Sequence, residues 1–145
     1  MGKIPMATRN RRRLFSSLFI GIVLFWNLQA AFLFIVTPSP YISSFQLEGF
    51  SGKVLVQGFG ILFLMWNIPY VFAFWNPLQN RLSLIEANLM QLIGLVGETL
   101  LQSSLPPGEA ILRATAARFI LFDGIGLLLL LLALWISRPF KSHSS

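Results

Sequence analysis

Apolar residues run along this chain in four long blocks, and short polar or proline-bearing stretches separate them. A hydrocarbon core about 30 Å thick takes roughly 20 residues of helix to cross, and each block approaches that length. The first covers 14–36, preceded by Arg11, Arg12 and Arg13 and closed by Thr37, Pro38, Ser39 and Pro40. The second covers 54–75 and ends where Asn76 and Pro77 open a turn. The third, 84–101, is the most polar. The fourth, 116–136, passes through the leucines at 127–132 and stops at Ser137, Arg138 and Pro139. This pattern predicts an all-α integral membrane four-helix bundle forming one domain, with a basic tail over 1–13 and a second tail over 137–145. A cleaved signal peptide has an apolar core of about 7 to 15 residues and a small-residue exit. The first block is longer and ends on Phe34, Ile35 and Val36, so it reads as a retained anchor.

The connection from Thr37 to Lys53 is too apolar for an ordinary loop, since Tyr41, Ile42, Phe45, Leu47 and Phe50 are spread through it. Ser39 and Pro40 resemble a helix cap and first position, and Gly49 after Glu48 resembles a stop. A short interfacial helix over the outer mouth of the bundle is expected. Pro106, Pro107 and Gly108 before Glu109 mark a second helix start, so the fourth helix should project beyond the lipid.

Composition agrees with the pattern: 55% of residues are hydrophobic and 11% charged, where a soluble domain carries about a quarter charged. The formal charge of +6 is concentrated at the ends of the apolar blocks. If four helices cross, both termini share a face with Lys3, Arg9, Arg11, Arg12, Arg13, Arg81, Arg138 and Lys141, against Lys53, Arg113 and Arg118 on the other. Eight bases against three predict that the termini lie in the cytoplasm, with Trp75 and Trp135 at that boundary; a bacterial inner membrane is the expected location, although a cysteine-free polytopic chain fits an organelle as well. The bases therefore set topology and touch anionic headgroups, and no nucleic-acid partner is expected. There is no cysteine, and His143 stands alone in the tail, so neither a thiolate nor a metal centre is expected. No phosphate loop, zinc-protease or serine-hydrolase signature occurs, so no nucleotide cofactor is expected and an enzymatic role is disfavoured.

Ionisable and amide side chains inside apolar blocks are expensive, about 2.5–3.5 kcal/mol for a charge at a helix centre, and so mark informative positions. Ser83 and Glu86 fit a capping box at the start of the third helix. Asn88, Gln91, Glu98 and Gln102 fall on one face of that helix, beside Gly94 and Gly97, which invite a close neighbour. Asp123 lies about 10 Å in from the outer end of the fourth helix if that end is near Ala116, at a depth similar to Glu98. The two carboxyls are expected to share a cavity, with Arg118 at its edge either snorkelling or forming an ion pair with Glu98. Asn27, Gln29 and Gln57 add amides to the same outer half. In the second helix Asn67 and Pro69 predict a kink, with the Asn67 side chain bonding the freed backbone.

The layout resembles that of the DoxX-like group of small bacterial membrane proteins. The residues that carry the similarity are the glycine-rich approach to the second helix, Gly49-Phe50-Ser51-Gly52 through Gly58-Phe59-Gly60, and the basic turn Asn76-Pro77-Leu78-Gln79-Asn80-Arg81. Members of that group often carry a Glu where Gln57 stands here. The resemblance implies four helices and an association with membrane quinone chemistry or a partner oxidoreductase. Three roles follow from the residues. One is an accessory protein binding a quinone or lipid-like ligand in an outer-half cavity of Asn27, Gln57, Gln91, Glu98 and Asp123, walled by Phe25, Trp26, Phe59 and Phe63. Another is a structural subunit packed on a larger membrane complex through its polar stripe. The third is a small oligomeric proton-coupled transporter.

Overall fold

The computed structural model describes residues 6–138; the bases Lys3 and Lys141, Pro139 and the tail residue His143 lie outside the described residues. Within it the chain is all-helical. Four stretches are long and apolar enough to cross a membrane: Met6–Val36, Gly49–Trp75, Arg81–Ser104 and Ala110–Ile136. The first is α1, the third α5 and the fourth α6. The second is interrupted at Asn67 into α3 (Gly49–Trp66) and α4 (Ile68–Trp75). Between α1 and α3 lies the four-residue α2 (Ser39–Ile42), continued as a 3-10 turn over Ser43–Phe45.

The buried faces have helical spacing and small members. In α1 they are Ser16, Ile20, Val23, Leu24, Ala31 and Phe34; in α5, Leu84, Ala87, Asn88 and Gln91; in α6, Gly126, Leu130 and Ala133 among others. Small residues let helix backbones approach where no apolar-to-water transfer drives them together. The tight core, Ile20, Val23, Leu24, Tyr70, Ala73, Leu84, Ala87, Leu130 and Ala133, occupies the half of the molecule that holds the start of α1, α4, the start of α5 and the end of α6. Large apolar side chains also cover the outside, among them Phe25, Phe32, Phe72, Ile93, Leu121 and Trp135. An outer surface of this kind is far larger than the apolar patch a soluble monomer tolerates.

The core half is closed at its end by bases bound to helix carbonyls. Arg12 donates to Ile136 O (2.7 Å) and to Arg138 O, Arg81 to Ser137 O (3.1 Å), and Arg13 to Trp75 O (3.0 Å). The last four carbonyls of a helix have no partner within it and carry the negative end of its dipole, so a guanidinium there satisfies both. Counting bases for topology does not show this second role, because it depends on which helix end each arginine meets.

Two local expectations are corrected. The Ser83–Glu86 capping box is not formed: α5 starts earlier, at Arg81, with Asn80 as its cap residue and no side-chain capping bond. The turn over Asn76–Asn80, closed by Asn80 N to Asn76 O (2.8 Å), and the anchoring of Arg81 on Ser137 bring the helix start forward. Gly49 opens α3 and does not end the short helix; its φ of +61° follows an extended Glu48. The short helical run is ended by Gln46, at φ 53° in the left-handed region.

Candidate functional site

The break at Asn67 builds the site. In α3 the chain follows α1, whereas after the break α4 packs on α5 as well as on α1. Pro69, in the first turn of α4, has no N–H to offer Met65 O, and the Asn67 side chain donates to Phe63 O at 2.6 Å, the carbonyl that the Asn67 backbone N–H also reaches at 3.1 Å. Above the break, α3 diverges from α5 and α6, which stay packed on each other, and the fork holds a cavity of about 600 Å³. A second, of about 420 Å³, continues from it and is bounded by Phe45 of the 3-10 turn and by Leu105 and Leu112 at the far end. Phe63, Trp66, Glu98 and Phe119 line both, so the two form one cleft.

The cleft is mostly aromatic. Phe63 stacks on Trp66 with centroids 6.2 Å apart and meets Phe119 edge-on at 6.5 Å, while Phe45 lies 5.4 Å from Phe59 and 6.1 Å from Phe119. Its deep end is polar. Tyr70 Oη donates to Gln91 Oε1 at 2.6 Å, and Gln91 Nε2 donates to Asp123 Oδ1 at 2.7 Å. Two glycines seat this chain: a Cβ at position 126 would lie 2.6 Å from Gln91 Nε2, and one at position 94 would collide with Asp123 Oδ2. Each polar side chain thus crosses the α5–α6 seam onto the bare backbone of the facing helix.

Of the five residues expected to bind, Asn27, Gln91, Glu98 and Asp123 line the cleft. Gln57 does not. Its amide donates to Ile35 O at 2.9 Å across the α1–α3 seam, because that face of α3 packs on α1. The Glu98–Arg118 ion pair is also absent. Both side chains line the cleft, but Arg118 folds back along its own helix to Ala114 O (3.3 Å) and Thr115 Oγ1 (3.4 Å), while Glu98 Oε2 is buried without a hydrogen-bond partner. Asp123 stands thirteen residues from each end of α6, level with Gly94 and one turn below Glu98.

The remaining polar residues are used in packing. Asn88 donates to Leu84 O (2.7 Å) within α5 and reaches Leu130 O (3.4 Å) of α6, and Gln102 holds Arg113 O at 3.0 Å across the α5–α6 connection. Gln29 is exposed. Gly97 has open space beside it and lines the cleft, so Gly94 alone of the pair admits its neighbour. Of the expected walls, Phe63 and Phe59 face the cleft, Trp26 packs on Phe122 at 5.6 Å, and Phe25 points outward at 65% exposure. Tyr70, Trp66, Phe119 and Phe122 were not expected there. Their signal in the sequence was the helical register alone, which for Tyr70 the break at Asn67 resets.

No family model, curated protein or solved structure matches this chain. The site is therefore read from its own geometry. Among the described residues no three His, Cys, Asp or Glu groups converge on a point that a metal ion would occupy. The cleft offers an apolar, ring-lined volume of small-molecule size with a few polar groups at one end, the usual composition of a ligand site.

Tyr70→Phe tests the polar chain without touching the cleft's acids. It removes one donor and leaves Gln91 Oε1, at a residue 3% exposed, without its partner. A loss of about 1–3 kcal/mol is expected, the penalty of an unsatisfied buried acceptor. The midpoint of helix loss in a dodecyl sulfate titration reads it, and an unchanged midpoint contradicts the bond.

Proposed function

We propose that this chain is a small integral membrane protein, a four-helix bundle of the bacterial inner membrane with both termini in the cytoplasm, that binds a lipid-like amphiphile, quinones included, in the cleft between α3 and α5–α6. Supporting insertion are the four long apolar helices and the apolar residues on their outward faces. The single observation that carries the binding role is Glu98 Oε2, a buried carboxylate oxygen with no partner, on the wall of a 600 Å³ cavity. A buried polar group is normally hydrogen-bonded, and one left open beside an empty volume of ligand size is accounted for by a ligand.

The polar stripe favours this reading over that of a structural subunit. Asn88 and Gln91 are both buried, with their amide nitrogens bonded inside the chain, so they are not available to a larger complex. The resemblance of layout to the DoxX-like proteins implies a partner oxidoreductase, and the exposed apolar faces leave room within lipid for such a partner or for a second copy of this chain.

Native mass spectrometry on protein extracted with its lipids is the test. A stoichiometric adduct is expected on the wild-type chain, with occupancy reduced at least ten-fold in Glu98→Gln and in Asp123→Asn. If the wild-type chain carries no adduct, or both variants retain it at full occupancy, the binding role is wrong.

A further inference from the structure

The chemistry of the bound head group follows from which polar atoms of the cleft are left open; this step rests on the proposed amphiphile site and narrows it. Both buried, unpartnered side-chain atoms on the wall are acceptors, Asn67 Oδ1 and Glu98 Oε2. Asn67 is 3% exposed, and its amide nitrogen is already held by Phe63 O, which fixes the oxygen as the free end. Several donors on the wall are engaged within the protein. Tyr70 gives its hydrogen to Gln91, Gln91 gives its amide hydrogen to Asp123, and Arg118 turns back on Ala114 and Thr115. Asn27 lies beside the Tyr70 hydroxyl.

The charges agree with the acceptors. Two carboxyl groups and one guanidinium line the cavity, so acids outnumber bases on its wall. Around them stand Phe63, Trp66, Phe119 and Phe122, whose ring faces attract a cation, most strongly when it has left water. A quinone head offers only carbonyl acceptors and would meet Glu98 Oε2 and Asn67 Oδ1 with nothing to donate. An alkyl ammonium supplies donors and a positive charge together, and its tail continues into the second, ring-lined part of the cleft.

We propose that the cleft selects amphiphiles with a monocationic, N–H-donating head, of the alkyl ammonium class. The test compares four probes of similar tail length on the full chain in a neutral maltoside detergent, read by native mass spectrometry: dodecylammonium, dodecyltrimethylammonium, dodecanoate and a decyl-tailed benzoquinone. Dodecylammonium is expected to bind at least ten-fold more tightly than dodecanoate or the benzoquinone. Dodecyltrimethylammonium, which has the charge but no N–H, should fall between. Glu98→Gln should remove most of the preference, while Glu86→Gln, on the exposed face of α5, should keep it. The wild-type ranking decides the matter even if a variant does not fold. Equal or tighter binding of the benzoquinone or of dodecanoate overturns the head-group assignment and leaves the amphiphile site standing. If no probe binds, both fall.

Discussion

Gly60→Ala is expected to destabilise the protein, and Gly58→Ala, two residues away in the same helix, to stabilise it. A Cβ at position 60 would lie 2.8 Å from Ala31 O, 2.7 Å from Ile35 Cγ1 and 3.0 Å from Phe34 Cβ. The first of these is backbone, so no side-chain rotation relieves it and α3 must move off α1. Overpacking a well-filled contact costs about 1–3 kcal/mol, and alanine's better helix propensity returns at most about 1 kcal/mol. A Cβ at position 58 meets nothing within 4 Å, so only the propensity gain remains. Dodecyl sulfate unfolding midpoints of the two variants should move in opposite directions. The effect at position 60 reaches the site as well, because the α1–α3 seam holds α3 away from α6 and keeps the fork open. A Gly60→Ala variant as stable as Gly58→Ala would show that the helices do not approach this closely.

That pair also shows what the sequence can and cannot convey. The four apolar helices were legible because mean hydropathy and block length report on the solvent of each segment, and the structure has four such helices. The break in the second helix was legible too, because Pro69 lacks a donor wherever it stands. Gly58 and Gly60, in contrast, sit in one local context, and only the neighbour's position distinguishes them. The same holds for the candidate site. Glu98, Gln91, Asp123 and Asn27 stood out because polar groups in apolar blocks need partners, whereas Gln57 satisfied the same criterion and found its partner in the Ile35 carbonyl of the seam. Tyr70 and the cleft's outer rings carried no anomaly to notice, as aromatic residues are ordinary in such helices. The capping box at Ser83 failed for a related reason. Local pattern proposed the helix start there, but the bond between Arg81 and Ser137, residues 56 apart in the chain, favours the earlier one.

Gly94→Ala is the second large effect, and it bears on chemistry as well as packing. The new methyl group would occupy the place of Asp123 Oδ2, so the carboxylate has to swing off α5. That movement breaks the 2.7 Å bond from Gln91 Nε2 and undoes the chain that runs back to Tyr70. A hydrogen bond to a charged group contributes about 1.5–3 kcal/mol, more than the roughly 1 kcal/mol that alanine adds to the helix, so a net loss of stability is expected. Three residues on, Gly97 faces open space, and Gly97→Ala should gain the propensity term alone. The displaced carboxylate of Gly94→Ala has the cleft as its nearest free volume. There it would crowd the head-group position beside Glu98, so the adduct seen by native mass spectrometry should fall together with the unfolding midpoint. If instead the midpoint falls while the adduct stays at full occupancy, Asp123 serves the α5–α6 seam and Glu98 alone faces the ligand. A Gly94→Ala variant that matches Gly97→Ala in both readouts would remove Asp123 from its seat over α5, and with it the polar end of the site as drawn from the Gln91 bond.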